Sequence, residues 1–349
     1  MTRMLSFLLG LSLGLAACVD APTDAPKDFA PSPLSRVALV LNEGLFQRNN
    51  STLTYYEIDS NRAFTDFFER QTGRRLGDTG NDIAQYGGKI YIVVNVSSTI
   101  EVLDAATFAP IKTILFFNGA QPRQPRHIAF HGRNAFVSCY DGTIAVIDTA
   151  SLSIARNIQV GSYPEGVAIQ NGKLYVANSG GLNFPNYDST VSIIDLNSLA
   201  EIKRLALRIN PTSVDADAYG DVYVISNGNY STVPMRLLAI DSRADTLKKI
   251  FDFDASRIAI IDSLAFIASN NGVMTLDVRN ERVIKPNFIA PSNFQILYAL
   301  SIDKARRELY CADAKNYVVS GEMKVFDFNG QFKRSFQTGL IPNKAVFVR

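Results

Sequence analysis

The amino-acid sequence predicts an all-β protein, a seven-bladed β-propeller of four-stranded antiparallel blades closed by the C-terminal strand joining the N-terminal blade. Three observations carry the prediction. Residues 125–160, PRHIAFHGRNAFVSCYDGTIAVIDTASLSIARNIQV, hold four short runs of alternating or β-branched apolar residues, at 127–130, 135–139, 144–148 and 154–160. Gly132-Arg133, Asp141-Gly142 and the segment 148–153 separate them with the Gly, Asp and Ser of tight turns, so the unit reads as a four-stranded meander. The third strand of this unit closes on an apolar residue followed by Asp, and the pair recurs at Asp59, Asp104, Asp148, Asp195, Asp241, Asp277 and Asp327. Its spacings of 45, 44, 47, 46, 36 and 50 residues match one propeller blade per repeat. Finally, the segment 342–348, PNKAVFV, has the pattern of the opening strands 125–130, 164–169 and 211–216, and it supplies the first strand that the N-terminal copy lacks.

A single four-stranded sheet cannot bury both of its faces, so the copies must stack, and radial stacking does this for blades of that size. Pairing the last strand with the first copy also removes open sheet edges. The recurrent aspartates are read as turn residues that cap the hairpin between strands three and four.

Composition supports one packed body. Hydrophobic residues make up 47% of the 349-residue chain and charged residues 19%, which suffices for a core and excludes a disordered chain. There are 35 basic and 33 acidic side chains, with only Arg3 in the leader, so no global field draws the protein to nucleic acid.

Residues 1–17 combine Arg3 with a mostly apolar run from Met4 to Leu15, too short to span a bilayer, and predict a secretory signal peptide. Its end, Leu15-Ala16-Ala17-Cys18, resembles the bacterial lipobox, which makes Cys18 the expected lipidation site. Acyl chains contribute about 0.8 kcal/mol per buried CH₂, so several would anchor the chain stably. Residues 18–35, rich in Pro, Ala and Asp, read as the lipidated Cys and a flexible tether. At about 3.3 Å per residue the tether extends to roughly 55 Å. The propeller is expected over 36–349.

In the first copy, 37–42 reads as the second strand, 53–59 as the third and 63–69 as the fourth. The remaining copies run over 82–116, 125–160, 164–207, 211–253, 256–290 and 296–339. Proline opens several innermost strands, where little ladder bonding is lost, and Gly87-Gly88 and Asn171-Gly172 suit the first hairpins. Long insertions follow the second strand at 43–51, 179–189, 227–235 and 313–322. In a propeller these loops share one face with the links between blades, and that face is the expected functional one.

The sequence offers little catalytic chemistry. Its two histidines, His127 and His131, lie about 13 Å apart on an extended strand, too far to share a metal, and no nucleophile-elbow motif is present. Cys139 and Cys311 fall nearly across the ring from each other and are expected to be free, buried thiols. Asp78 and Asp82 lack the spacing of a calcium loop. Arg74, Arg75 and Arg126 fall in the links between the first three copies as a rim for an anion or an acidic partner. Phe46, Gln47, Asn95, Tyr140, Asn178, Phe184, Tyr187, Asn227, Tyr230, Phe294 and Tyr317 are the candidate ligand-binding residues on the long-loop face. Aromatic planes bury apolar ligand area, and amides and phenols donate and accept hydrogen bonds, a combination suited to a large neutral ligand and equally to a protein interface.

Residues 42–59 (NEGLFQRNNSTLTYYEID), 76–108 (LGDTGNDIAQYGGKIYIVVNVSSTIEVLDAATF) and 339–347 (GLIPNKAVF) resemble the YncE-like, surface-layer-type seven-bladed propeller lipoproteins of Bacteroidetes. Within that group the chain is similar to the BtuG-like cobalamin-capturing surface lipoproteins. The resemblance implies a lipid-anchored protein on the outer face of the outer membrane. It implies capture of cobalamin or another corrinoid at the propeller mouth and transfer to a BtuB-like TonB-dependent transporter, with no catalysis and no bound cofactor. An interaction scaffold for a protein or glycan is the alternative, and a propeller lactonase the third reading. The chain has no Trp, which argues against WD-type repeats and quinone-cofactor dehydrogenase propellers.

Overall fold

The structure, a computed structural model, describes residues 36–348. The expected signal peptide, lipidated Cys18 and tether lie outside the described residues. Seven four-stranded antiparallel sheets form seven blades. The third blade runs Pro125–His131, Asn134–Cys139, Thr143–Asp148 and Ser153–Gln159, as the turn and alternation pattern predicts. The first blade is built from both ends of the chain. Its sheet order places Pro342–Val348 innermost, beside Val37–Asn42, with Val37 opposite Val348 and Leu41 opposite Lys344. Innermost strands of successive blades touch all the way round, including Pro342–Val348 with Leu297–Asp303 on one side and Gly80–Tyr86 on the other, so the ring is closed.

Cohesion comes from apolar layers between neighbouring blades. Tyr91, Val93 and Val102 of the second blade pack with Val137, Ala145 and Ile147 of the third. At the closure, Val40 and Tyr56 of the first blade meet Tyr310, Val325 and Phe336 of the seventh, with Tyr56 stacked on Phe336. Alternation along each strand presents one apolar set to each neighbour, which is why central strands read as almost continuous hydrophobic runs. Cys139 and Cys311 are buried free thiols in these layers, their pKa raised by burial.

Six of the recurrent aspartates cap their hairpins. Asp148 Oδ1, for example, accepts from the backbone N–H of Ala150 at 3.1 Å and Ser151 at 2.7 Å. Asp104, Asp195, Asp241, Asp277 and Asp327 do the same in their own turns. Those donors hold the Asp148 carboxyl below its ordinary range. Asp59 differs, pairing instead with Arg36 at 2.6 Å and Arg306 at 3.1 Å.

One element departs from the sequence expectation. Residues 63–69 do not form a full fourth strand: the strand is only Arg62–Phe64, and a short helix, Phe67–Thr72, follows. Phe67 and Phe68 are both buried. A strand would point consecutive side chains to opposite faces, whereas a helix can turn both inward. Phe67 packs against Tyr55 and Phe108, filling the wedge between the first and second blades. Gly73, at φ 73°, ends the helix.

Strands two and three are joined on the face that also carries the links between blades, and the long loops 43–51, 179–189, 227–235 and 314–319 therefore share that face. Inner strands crowd tightly below it. A Cβ on Gly166 would meet backbone atoms of Thr212 at 2.8 Å and Val214 at 2.7 Å in the next blade, so only glycine fits.

Candidate functional site

The innermost strands enclose a cavity of about 730 Å³ along the ring's centre, lined by residues from all seven blades. The ring at its long-loop end follows from a positional rule. Asn81, Arg126, Glu165, Thr212, Arg257, Tyr298 and Asn343 each stand at the first or second residue of an innermost strand and line the cavity. Four of these positions directly follow an opening proline, as in Pro125-Arg126, Pro164-Glu165, Pro211-Thr212 and Pro342-Asn343. The same register that sends the following residues into the sheet sends these toward the axis.

Two polar networks line the cavity walls. On one, Arg126 Nε donates to Glu165 Oε2 at 2.8 Å, the Tyr140 hydroxyl donates to Glu165 Oε1, and the Arg126 guanidinium lies 4.7 Å from the Tyr140 ring centroid. His127 bridges onward, its Nε2 3.8 Å from Glu165 and its Nδ1 3.6 Å from Asp82. Lys344 Nζ completes the row at 2.6 Å from Asp82 Oδ1. Burial alone would raise the Asp82 carboxyl, but Lys344 and His127 outweigh it and hold the group well below the usual carboxylate range. On the other wall, the Tyr298 hydroxyl donates to Glu43 Oε2 at 2.9 Å, and the Arg257 guanidinium sits 5.3 Å from the Tyr298 ring centroid. Burial pushes Glu43 up, against partial opposition from Tyr298, Arg126, Arg257 and His127.

Deeper in the cavity, Asp215 accepts from the backbone N–H of Ala216 at 2.8 Å and of Ile260 at 3.1 Å, pinning the fifth blade to the sixth. Burial pushes its carboxyl up to about 6, despite those two donors. A group whose folded pKa exceeds its unfolded value binds protons on folding, so its contribution is present at low pH and is lost as pH rises through about 6. A ¹³C-carboxyl NMR titration is expected to place the Asp215 midpoint near 6, and a midpoint at or below the ordinary 3.8 contradicts the assignment.

The structure sorts the sequence-derived candidates into four groups. Tyr140, Asn227 and Tyr230 line the cavity. Tyr187 and Phe184 continue from Tyr230 as an aromatic row, with centroids 6.2 Å and 6.0 Å apart, and Tyr317 meets Tyr298 edge-on at 6.0 Å. Phe46 and Gln47 are exposed on the first long loop, whose backbone is pinned by Asp78: its carboxylate accepts from Gln47 at 3.1 Å and Asn49 at 2.9 Å.

Asn95, Asn178 and Phe294 stand apart from the mouth. Asn95 is buried and donates to the Pro125 carbonyl, and Asn178 is buried among Thr190, Ser192 and the Gly161 N–H. Phe294 packs on Phe326 between the sixth and seventh blades. The expected arginine rim also divides. Arg126 is in the cavity, Arg74 pairs with Glu101 and lies over the Phe68 ring in the second-blade wedge, and Arg75 is exposed.

Sequence reasoning weighed Asp82 only as part of a calcium loop and passed over Glu43, Glu165, Asp215, Arg257, Tyr298 and Lys344. Only Glu165 among them directly follows a strand-opening proline, so that alignment was a signal for one of them; Arg257 and Tyr298 stand at the matching strand openings without a proline. Among the described residues, no group of three or more His, Cys, Asp or Glu is placed to hold a metal.

Ring closure, seven blades and an axial polar cavity define the chain as a seven-bladed β-propeller. No family profile and no curated protein matches it. Solved structures do. It is similar to a quinoprotein alcohol dehydrogenase-like protein from Bacteroides thetaiotaomicron, at a TM-score of 0.65 and 15% identity over 91% of this chain and 79% of that one. It is also similar to hydrazine synthase from Kuenenia stuttgartiensis (TM-score 0.61, 14% identity, 74% of this chain and 86% of that one). The Pan2 WD40 domain of Neurospora crassa gives a TM-score of 0.56 at 11% identity over 75% of this chain and 80% of that one. At such identities the likeness is one of fold alone.

Proposed function

We propose that this propeller is a capture protein, binding a large, largely neutral ligand on its long-loop face without bond-making chemistry. The observation that carries the reading is the aromatic row Phe184, Tyr187 and Tyr230 beside the cavity, with Phe184 and Tyr230 left 73% and 68% exposed. Large exposed rings are unfavourable in water unless a partner covers them. Tyr230 sits at φ 56°, a left-handed backbone that a bulky side chain adopts at a cost. Amides such as Asn227, which donates to the Tyr230 hydroxyl at 3.3 Å, stand next to the row. Aromatic faces flanked by amides suit a corrinoid, with its broad ring and amide-bearing rim.

In this reading the chain is exported, anchored through Cys18, and reaches across the membrane surface on the tether 18–35 to hand cobalamin or another corrinoid to a TonB-dependent outer-membrane transporter. The lipobox-like leader and the resemblance to BtuG-like lipoproteins support this assignment of ligand and place. The loop tip Tyr317-Val318-Val319, with Val318 63% exposed, favours a protein contact on the same face and fits the transporter in that scheme.

Titration calorimetry of the full chain with cyanocobalamin is expected to show saturable binding at micromolar concentrations. Tyr230→Asn, a residue that tolerates the left-handed backbone, removes the ring and is expected to weaken binding by about tenfold. Absence of heat at micromolar ligand contradicts the corrinoid assignment.

A further inference from the structure

The two arginines of the cavity are not equivalent. Arg126 is satisfied by Glu165, and Lys344 by Asp82. Arg257 donates through Nη1 to the Ser256 carbonyl at 2.7 Å, and among the described residues no carboxylate lies within ion-pair distance of it. Its guanidinium rests on the Tyr298 ring, an arrangement that fixes the plane and leaves the remaining N–H groups available. Glu43, Arg126 and Arg257 line the same cavity, and both arginines act electrostatically on Glu43. Glu43 takes its hydrogen bond from the Tyr298 hydroxyl at 2.9 Å rather than from Arg257, so the guanidinium is not engaged by this carboxylate.

We propose that Arg257, held on Tyr298 and backed by Arg126, forms a binding subsite for a compact oxyanion, a carboxylate or phosphate group, at the long-loop end of the axial cavity. An arginine fork matches either group with two parallel hydrogen bonds, and in a partly buried cavity such bonds are stronger than on an open surface. The inference rests on the long-loop face being the binding face but not on the captured molecule being a corrinoid. It adds that the ligand, or a second ligand held with it, presents an anionic group to the axis while apolar area is covered by the aromatic row.

Calorimetric titrations of the full chain with inorganic phosphate and with acetate, in a low-salt buffer free of other oxyanions, test this. Saturable binding of either anion is expected, phosphate alone indicating a tetrahedral dianion and acetate alone a carboxylate. Arg257→Gln is expected to weaken it about tenfold or more, and Arg257→Lys to recover only part, since a point charge lacks the fork. Glu43→Gln is expected to tighten it, because one opposing charge is removed from the same space. Arg133→Gln, on an exposed hairpin that pairs with Asp148, should leave it unchanged. Opposite signs at Arg257 and Glu43 separate a binding role from simple damage to the fold. Absence of saturable binding with both anions, or binding that survives Arg257→Gln unaltered, overturns the proposal. A cyanocobalamin titration in the same buffer distinguishes the two ideas, since anion binding without corrinoid binding removes only the ligand assignment.

Discussion

Removing residues 342–349 is expected to abolish cooperative thermal unfolding. The strand Pro342–Val348 is the innermost of the first blade, and its loss leaves a wedge missing from the ring. Ala345, Val346 and Val348 are buried there, and Phe347 packs edge-on against Tyr310 of the seventh blade at 4.8 Å. Each Val or Phe side chain among them contributes up to about 1.5–3 kcal/mol. The truncation also strips Lys344 from buried Asp82 and removes the Ala345 N–H that donates to Ser301 Oγ at 2.9 Å. An uncompensated buried charge costs a further 3–5 kcal/mol or so. Together these losses approach the whole stability of an ordinary domain, about 5–15 kcal/mol. Calorimetry should find the cooperative transition gone, and an unchanged unfolding temperature would contradict ring closure by this strand.

Glu308→Ala is expected to destabilise the protein by about 3–5 kcal/mol, read by chemical denaturation at neutral pH. Glu308 is 3% exposed and accepts from Arg334 Nη2 at 2.6 Å and Nη1 at 3.1 Å and from Lys333 Nζ at 2.6 Å. Arg334 in turn donates to Tyr56 of the first blade at 3.0 Å, so the carboxylate orients a contact across the closure seam. Truncation to Ala leaves the half-buried Arg334 guanidinium without its counter-charge. Burial pushes the Glu308 carboxyl up, but Arg334 and Lys333 outweigh it and hold it at about 2, against an ordinary 4.5. A depressed folded pKa gives stability that is fully present above about 4.5 and is lost as pH falls toward 2. Glu308→Gln should therefore flatten the acid limb of the stability profile, and a variant with the same acid limb as the parent chain would remove Glu308 as its source.

Fold and site differ in how much of each the sequence reveals. Blades are legible because their signals are local: alternation within about six residues, a capping Asp at the end of the third strand, glycine at the first hairpin. Even the non-local step, pairing of the two chain ends, was readable, since residues 342–348 repeat the pattern of 125–130 and the first copy lacked that strand. The helix Phe67–Thr72 escaped because six residues are too few to display a helical period, and the wedge its two phenylalanines fill exists only after assembly. At the mouth, exposure could be inferred for loop aromatics such as Tyr230 but not the inward burial of Asn178, whose amide replaces backbone bonding near a strand end. The charged wall was hidden for another reason. Arg126, Glu165, Arg257 and Tyr298 are scattered over more than 170 residues of sequence and meet only around the axis.

Hydrogen exchange of the full chain with and without cyanocobalamin tests the central claim, that the long-loop face does the capturing. Slowed exchange is expected in residues 179–189 and 227–235, and at the strand openings around Arg126 and Glu165. Protection confined to the opposite hairpins, such as those capped by Asp148 and Asp195, or no protection anywhere, would contradict it.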